Sequence, residues 1–183
     1  MEPDEGMGVV LEGAAAKWGL PAALVRAMAV VESGNDPWAW NPEPAYRYLW
    51  DVRLNKPFRR LTGEEVRSQV PPRDFPALAG DRDQEFWGQQ ASFGLLQVMG
   101  AVARERGFRG PYLTALCDPA TNLEIACSHL AILFLRHFKT AGWPGVVASY
   151  NAGRPVLIRP GVYANQRYVD KVYIELRGEW PAQ

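Results

Sequence analysis

The chain has 183 residues, 48% of them hydrophobic and 22% charged, with Lys+Arg and Asp+Glu balanced at 20 each. That length is enough for one domain with a real core, so residues 1–183 are expected to fold as a single unit. The balanced charge excludes the basic footprint of a nucleic-acid binder or a polybasic membrane patch. Two cysteines, Cys117 and Cys127, and two histidines, His129 and His137, are too little material for a disulfide framework, a metal centre or a His-based triad, so no metal or cofactor is expected.

The acidic start Met1-Glu2-Pro3-Asp4-Glu5 lacks an apolar segment, and no signal peptide is visible. Residues 7–18 read as an amphipathic helix with Val10, Leu11, Ala14, Ala15 and Trp18 inward and Gly19 as its stop. A second helix runs about 21–33, with Pro21 as first helical residue and Leu24, Met28 and Val31 at helical spacing. Glu32 follows Met28 by one turn, so it shares a face with buried-type side chains, and Gly34 offers a left-handed stop. Burial and the negative end of the helix dipole both disfavour an ionised carboxyl, which suits a general acid. The plain alternative is a helix-ending Glu in a salt bridge.

Residues 35–91 are rich in Pro, Arg, Trp and Tyr and read as a long insertion. Thr62-Gly63-Glu64-Glu65 fits a capping box for a short helix over about 63–69, and 83–90 suits another. No long strand shows, although a short hairpin has room here. From Phe93 the helical period returns: 93–106 is predicted helical, with Leu96, Met99 or Gly100, and Ala103 on one side and Gly107 as stop. Asp118-Pro119 opens a long helix to about Phe138 with a wide apolar stripe, Trp143-Pro144 opens a short one ending at Asn151-Ala152-Gly153, and a last helix covers about 166–177 with Val169, Val172, Tyr173 and Leu176 inward. Ser128, His129, Arg136 and His137 interrupt the most apolar run, so no membrane span is expected. The seven tryptophans are mostly core material, but in a cleft such rings stack on flat ligands such as sugar faces.

Four pieces in order resemble the lysozyme-like lytic transglycosylase family: Glu32-Ser33-Gly34; Ser92-Phe93-Gly94-Leu95-Leu96-Gln97-Val98-Met99; Asp118-Pro119 with Asn122; and Ala148-Ser149-Tyr150-Asn151-Ala152-Gly153. Tyr168-Val169 with Val172 is a weaker fifth. The resemblance implies a mostly α, lysozyme-like fold with a helical core, the long insertion and little or no β structure. It implies a peptidoglycan lytic transglycosylase in which Glu32 alone protonates the bond between N-acetylmuramic acid and N-acetylglucosamine. The same carboxylate then takes the proton of the muramoyl 6-hydroxyl, which closes to a 1,6-anhydro sugar. No second carboxylate is then needed as nucleophile, unlike the usual glycosidase scheme.

Substrate contacts are expected from Ser33, Ser92, Gln97, Met99, Tyr150, Asn151 and Tyr168, with Glu43 from the insertion and Tyr150 near Glu32. Leu95 and Met99 suit core packing as well as a cleft floor, and Asn151 and Gly153 suit helix capping. The sequence departs from the family at Leu96, where Met is usual, and before Tyr168, where Ala164-Asn165-Gln166-Arg167 stands in place of a frequent Glu. The partner implied is the glycan strand, with a monomer as default. The substrate lies outside the cytoplasm, which a phage endolysin or virion enzyme reaches without a signal peptide. Two rival readings are a goose-type-like lysozyme that activates water with a second acid, drawn from Glu43, Asp51 or Glu85, and a wall-binding virion module with an inactive cleft.

Overall fold

A computed structural model describes residues 3–79 and 81–182. Met1, Glu2, Gly80 and Gln183 lie outside the described residues, so part of the acidic start does too. Seven α-helices and only short strands, of two or three residues, are present among the described residues. The chain divides into two compact units, one made of residues 1–35 and 126–183, the other of 36–125.

The first unit is built on α1 (Pro3–Lys17), α2 (Ala22–Ser33), most of α6 (Pro119–Ala152) and α7 (Gln166–Glu175). Pro21 is the N-cap of α2 in extended conformation, not its first helical residue. The inward face of α2, with Leu24, Val25 and Met28 buried, packs against α1 and α7. Leu11 and Ala15 from α1, Leu130, Leu133, Val146 and Val147 from α6, and Val169 and Val172 from α7 are buried in the same unit. Two expected core residues are outside it: Val10 is exposed, and Tyr173 is exposed with its ring stacked on Trp180 at 5.4 Å. A helix stripe predicted from spacing is wider than the strip its neighbours cover, so its edge residues stay wet. The two expected helices 119–138 and 143–152 are halves of α6, broken at Gly142 (φ 59°, ψ −168°). Pro144 follows, where its ring removes the possibility of a continuous ladder. Phe134, Phe138 and Trp143 close over the break with ring centroids 4.6–5.0 Å apart.

The second unit contains the long insertion, which has a core of its own. Leu49, Leu61, Phe75 and Phe86 are buried together, with Tyr46, Phe58 and Val66 against them. Phe58, Phe75 and Phe86 meet edge to face at 5.0 and 5.2 Å. The hairpin β2 (Trp50–Asp51) to β3 (Lys56–Pro57) and the helices α3 (Gly63–Ser68) and α4 (Arg82–Gln89) carry these residues. The capping box is formed: Thr62 Oγ1 accepts from the Glu65 N–H at 3.2 Å and the Glu65 carboxylate accepts from the Thr62 N–H at 2.7 Å. Arg59 bridges Glu65 and Asp74, which holds the Glu65 carboxyl down to about 2.

The predicted helix over 93–106 is overturned. Ala91–Phe93 (β4) and Val98–Met99 (β5) form a hairpin that pairs with Trp40–Pro42 (β1) in the order β1-β4-β5, and the helix there, α5, spans only Gly100–Glu105. Gly94 (φ 69°) and Gln97 (φ 43°) take left-handed conformations that no helix accepts. Asn122, buried at the start of α6, straps the turn: its Nδ2 donates to the Phe93 and Leu116 carbonyls at 2.8 and 2.9 Å, and its Oδ1 accepts from the Leu96 N–H at 3.0 Å. A Cβ on Gly94 would lie 2.5 Å from the Asn122 amide nitrogen. A largely buried hairpin has little wet face, so its apolar run imitates helical spacing.

A buried ion pair organises the rest of this unit. Arg104 donates to Glu85 through Nε at 2.9 Å and Nη2 at 2.7 Å, and through Nη1 to the Phe108 and Gly110 carbonyls at 3.0 and 2.8 Å. Gln89 adds a third bond to Glu85 at 2.9 Å. Arg104→Met is expected to destabilise the chain by about 3–5 kcal/mol in urea unfolding, because the Glu85 charge is left buried alone. Adding Glu85→Gln should recover part of that loss.

Candidate functional site

Glu32 owes its position to the end of α2. Gly34 sits at φ 65°, its N–H bonded to the Val30 carbonyl at 2.9 Å, and the Asn35 N–H reaches back to Ala29 at 3.3 Å. This closing pattern ends the helix at Ser33 and leaves Glu32 on its last turn, half-buried. Ser33 Oγ donates to the Ala29 carbonyl at 3.2 Å, so its hydroxyl is turned back onto the helix.

Tyr168, on the first turn of α7, donates its hydroxyl to Glu32 Oε1 at 2.5 Å. Tyr150, near the end of α6, lies within the same electrostatic neighbourhood. Burial first, then the Glu32 charge, pushes the phenols of both Tyr150 and Tyr168 well above the ordinary value near 10. Both therefore stay protonated donors through the whole physiological range. The Tyr150 ring also lies 5.7 Å from that of His129.

Asn151 is exposed, and its Oδ1 accepts from Asn165 Nδ2 at 2.9 Å; the same Asn165 amide donates to the Ala148 carbonyl at 3.0 Å. Asn165 stands in the segment where the sequence departs from the family, and its link to the 148–151 turn is a role the sequence reading missed. Its signal was an Asn at the N-cap of α7, a position where Asn is favoured.

The second unit holds the other expected residues. Ser92 donates to Gln97 Oε1 at 2.9 Å, and Gln97 Nε2 donates to the Ala39 and Gly94 carbonyls at 3.1 and 2.9 Å. Both donors of the Gln97 amide are thus committed to protein carbonyls, stitching β1 to the hairpin turn. Met99 is paired with Ser92 across the hairpin and is half-buried. Glu43 is exposed, with Asn41 Nδ2 at 3.4 Å from its Oε1. The other two acids considered as a second catalytic carboxylate are engaged. Asp51 Oδ1 accepts from the Arg53 and Leu54 N–H groups at 2.9 and 3.0 Å, and both Glu85 oxygens are taken by Arg104.

One group within the first unit thus unites Glu32, Tyr150 and Tyr168, and a second within the other unit unites Ser92, Gln97 and Met99. No helix among the described residues is long and apolar enough to cross a membrane. A family model described as the Transglycosylase SLT domain matches residues 10–171. No curated protein and no solved structure matches the chain.

The phenols give a pH test. Their folded pKa values lie above the unfolded value, so the folded chain holds these protons more tightly; the stability they confer is complete below about pH 10 and is lost as pH rises through the folded values. Phenolate absorbance from Tyr150 and Tyr168 is expected only together with loss of helical circular dichroism. In Tyr168→Phe the alkaline loss of stability should be shallower.

Proposed function

The chain belongs to the Transglycosylase SLT domain family, a mostly α, lysozyme-like fold that acts on peptidoglycan, and on that premise we propose that Glu32 is its single acid and base. The reading rests above all on the Tyr168 hydroxyl 2.5 Å from Glu32 Oε1. In the first step the Glu32 carboxyl gives its proton to the oxygen linking N-acetylmuramic acid to N-acetylglucosamine, and the bond from that oxygen to the muramoyl C1 breaks. In the second step the carboxylate takes the proton of the muramoyl 6-hydroxyl as that oxygen bonds to C1. The product is a 1,6-anhydro ring, no water is consumed, and Glu32 ends protonated as it began.

The phenols serve the interval between these steps. A Tyr168 O–H donating to Glu32 holds the carboxylate in place after it has lost its proton, and Tyr150 stays neutral beside it. Intramolecular attack gains from proximity, so a water-activating base is dispensable. The engagement of Asp51 and Glu85 by partners of their own supports this route over the hydrolytic one. Ser92, Gln97 and Met99, together with Ser33, Asn151 and Glu43, belong to the proposal as residues near the glycan, Gln97 chiefly by holding the hairpin turn in shape. The phage-borne role, as endolysin or virion enzyme, belongs to it as well and rests on the substrate's lying outside the cytoplasm. The single-domain description of residues 1–183 is likewise part of it, supported by a family match that includes segments of both compact units.

Purified peptidoglycan treated with the protein should yield anhydro-muropeptides by mass spectrometry; products with reducing ends alone would overturn the intramolecular route. Glu32→Gln should abolish release while the circular dichroism stays native. Tyr168→Phe should lower kcat by about tenfold to a hundredfold, the loss of one hydrogen bond to a charged group.

A further inference from the structure

The second unit holds a pocket of about 340 Å³ walled by aromatic rings. Trp40 on β1, Trp87 on α4 and Tyr112 just before the short 3₁₀ turn Leu113–Cys117 surround it, and they are 61%, 45% and 52% exposed. Three large rings left this wet around one hollow are costly unless something covers them.

The packing beneath explains why the rings stand apart. A Cβ on Gly100 would lie 2.1 Å from the Gly88 carbonyl oxygen, and one on Gly88 would lie 2.8 Å from Leu113 Cδ1. Two glycines thus let the backbones of α4 and α5 touch and the Leu113 side chain of the 3₁₀ turn pack onto α4, and Trp87, next to Gly88, is left at the surface. Arg104 fixes both walls, binding Glu85 of α4 and the Phe108 and Gly110 carbonyls that lead to Tyr112. The hollow is therefore preorganised.

Its chemistry is neutral. Among the described residues Glu85 is the only charged one lining it, and Arg104 takes both its oxygens. The side chains of Gln84 and Thr114 and the indole N–H groups of Trp40 and Trp87 bring neutral donors and acceptors to its lining. Flat apolar walls with a few neutral donors and acceptors match a sugar ring, and disfavour a charged peptide stem. Of the hairpin motif, Phe93 lines the pocket and Ser92, Gln97 and Met99 do not. Strand alternation sends Trp40 and its partner Phe93 to the face opposite Asn41 and Ser92.

We infer that this pocket binds an N-acetylhexosamine ring of a glycan strand, stacked on Trp87 and Trp40 and hydrogen-bonded by Gln84 and Thr114. The choice of occupant rests on the peptidoglycan reading above; the pocket itself does not.

The probe is the β-1,4-linked trisaccharide of N-acetylglucosamine, titrated into the full chain by calorimetry and by NMR of the tryptophan indole N–H signals. The indole signals of Trp40 and Trp87 should shift. Trp87→Ala, and independently Gln84→Ala, should weaken that binding event about tenfold, the loss typical of a well-packed anchor, while Trp38→Ala, exposed but outside the pocket, should not. Unshifted Trp40 and Trp87 signals, wild-type affinity in both variants, or self-association that Trp87→Ala abolishes would each overturn the inference. Anhydro products with wild-type trisaccharide affinity in the variants would sink this inference alone. Trisaccharide binding at Trp87 in a chain that releases no anhydro product would sink the catalytic reading alone.

Discussion

The contact on which the site depends is the packing of α2 against α7, because it alone brings Glu32 to Tyr168 across 136 residues of sequence. Magnitudes settle which effect leads. The single hydrogen bond, made to a charged group, is worth about 1.5–3 kcal/mol. Each fully buried Leu, Val or Met on the helices involved contributes about 1.5–3 kcal/mol, and Leu24, Val25, Met28, Val169 and Val172 are all buried. The apolar faces therefore place the phenol, and the hydrogen bond refines its aim. The Gly34 stop adds the second condition, since a longer α2 would carry Glu32 away from a helix end.

The second unit works by a different rule. Its insertion carries too many prolines for long elements, so it is held by a phenylalanine cluster and by polar straps. The Arg104–Glu85 pair is one strap and Asn122 is another. A buried ion pair gives little net stability, because desolvation consumes most of the attraction. What it supplies is geometry: the guanidinium binds a helix and two loop carbonyls at once. Asn122 does the same for the hairpin turn, where every bond it makes satisfies a buried backbone group. Gln97 belongs with these straps, since its amide hydrogens end on carbonyls.

Seen together, the polar residues near the family's motifs divide by what their donors do. Tyr168 aims its donor at the acid, Ser33 turns its own onto its helix, and Gln97 and Asn122 hold backbone. A motif residue is thus not a ligand contact by default, and much of a motif's meaning is the shape of a turn. The Glu85 carboxyl makes the same point. In sequence it is a free acid in a suggestive stretch, and in the fold it is neutralised by a cation nineteen residues later.

The sequence by itself determined what local chemistry decides. The end of α2 before Gly34, the capping box at Thr62 and the break at Gly142 follow from residues within a few positions, through left-handed backbone, side-chain capping and proline geometry. The helix-end position of Glu32 was legible for that reason, as was the mostly helical class. Only the tertiary structure decided the hairpin over 91–99, because a buried strand pair and a helix share an apolar run, and the arbiter, Asn122, comes from another element. It also decided that Val10 and Tyr173 stay exposed, that Asn165 ties the start of α7 to Ala148 and Asn151, and that the Tyr168 hydroxyl reaches Glu32. Those outcomes depend on which faces meet, and burial energy, summed over many distant side chains, is a property no short stretch contains.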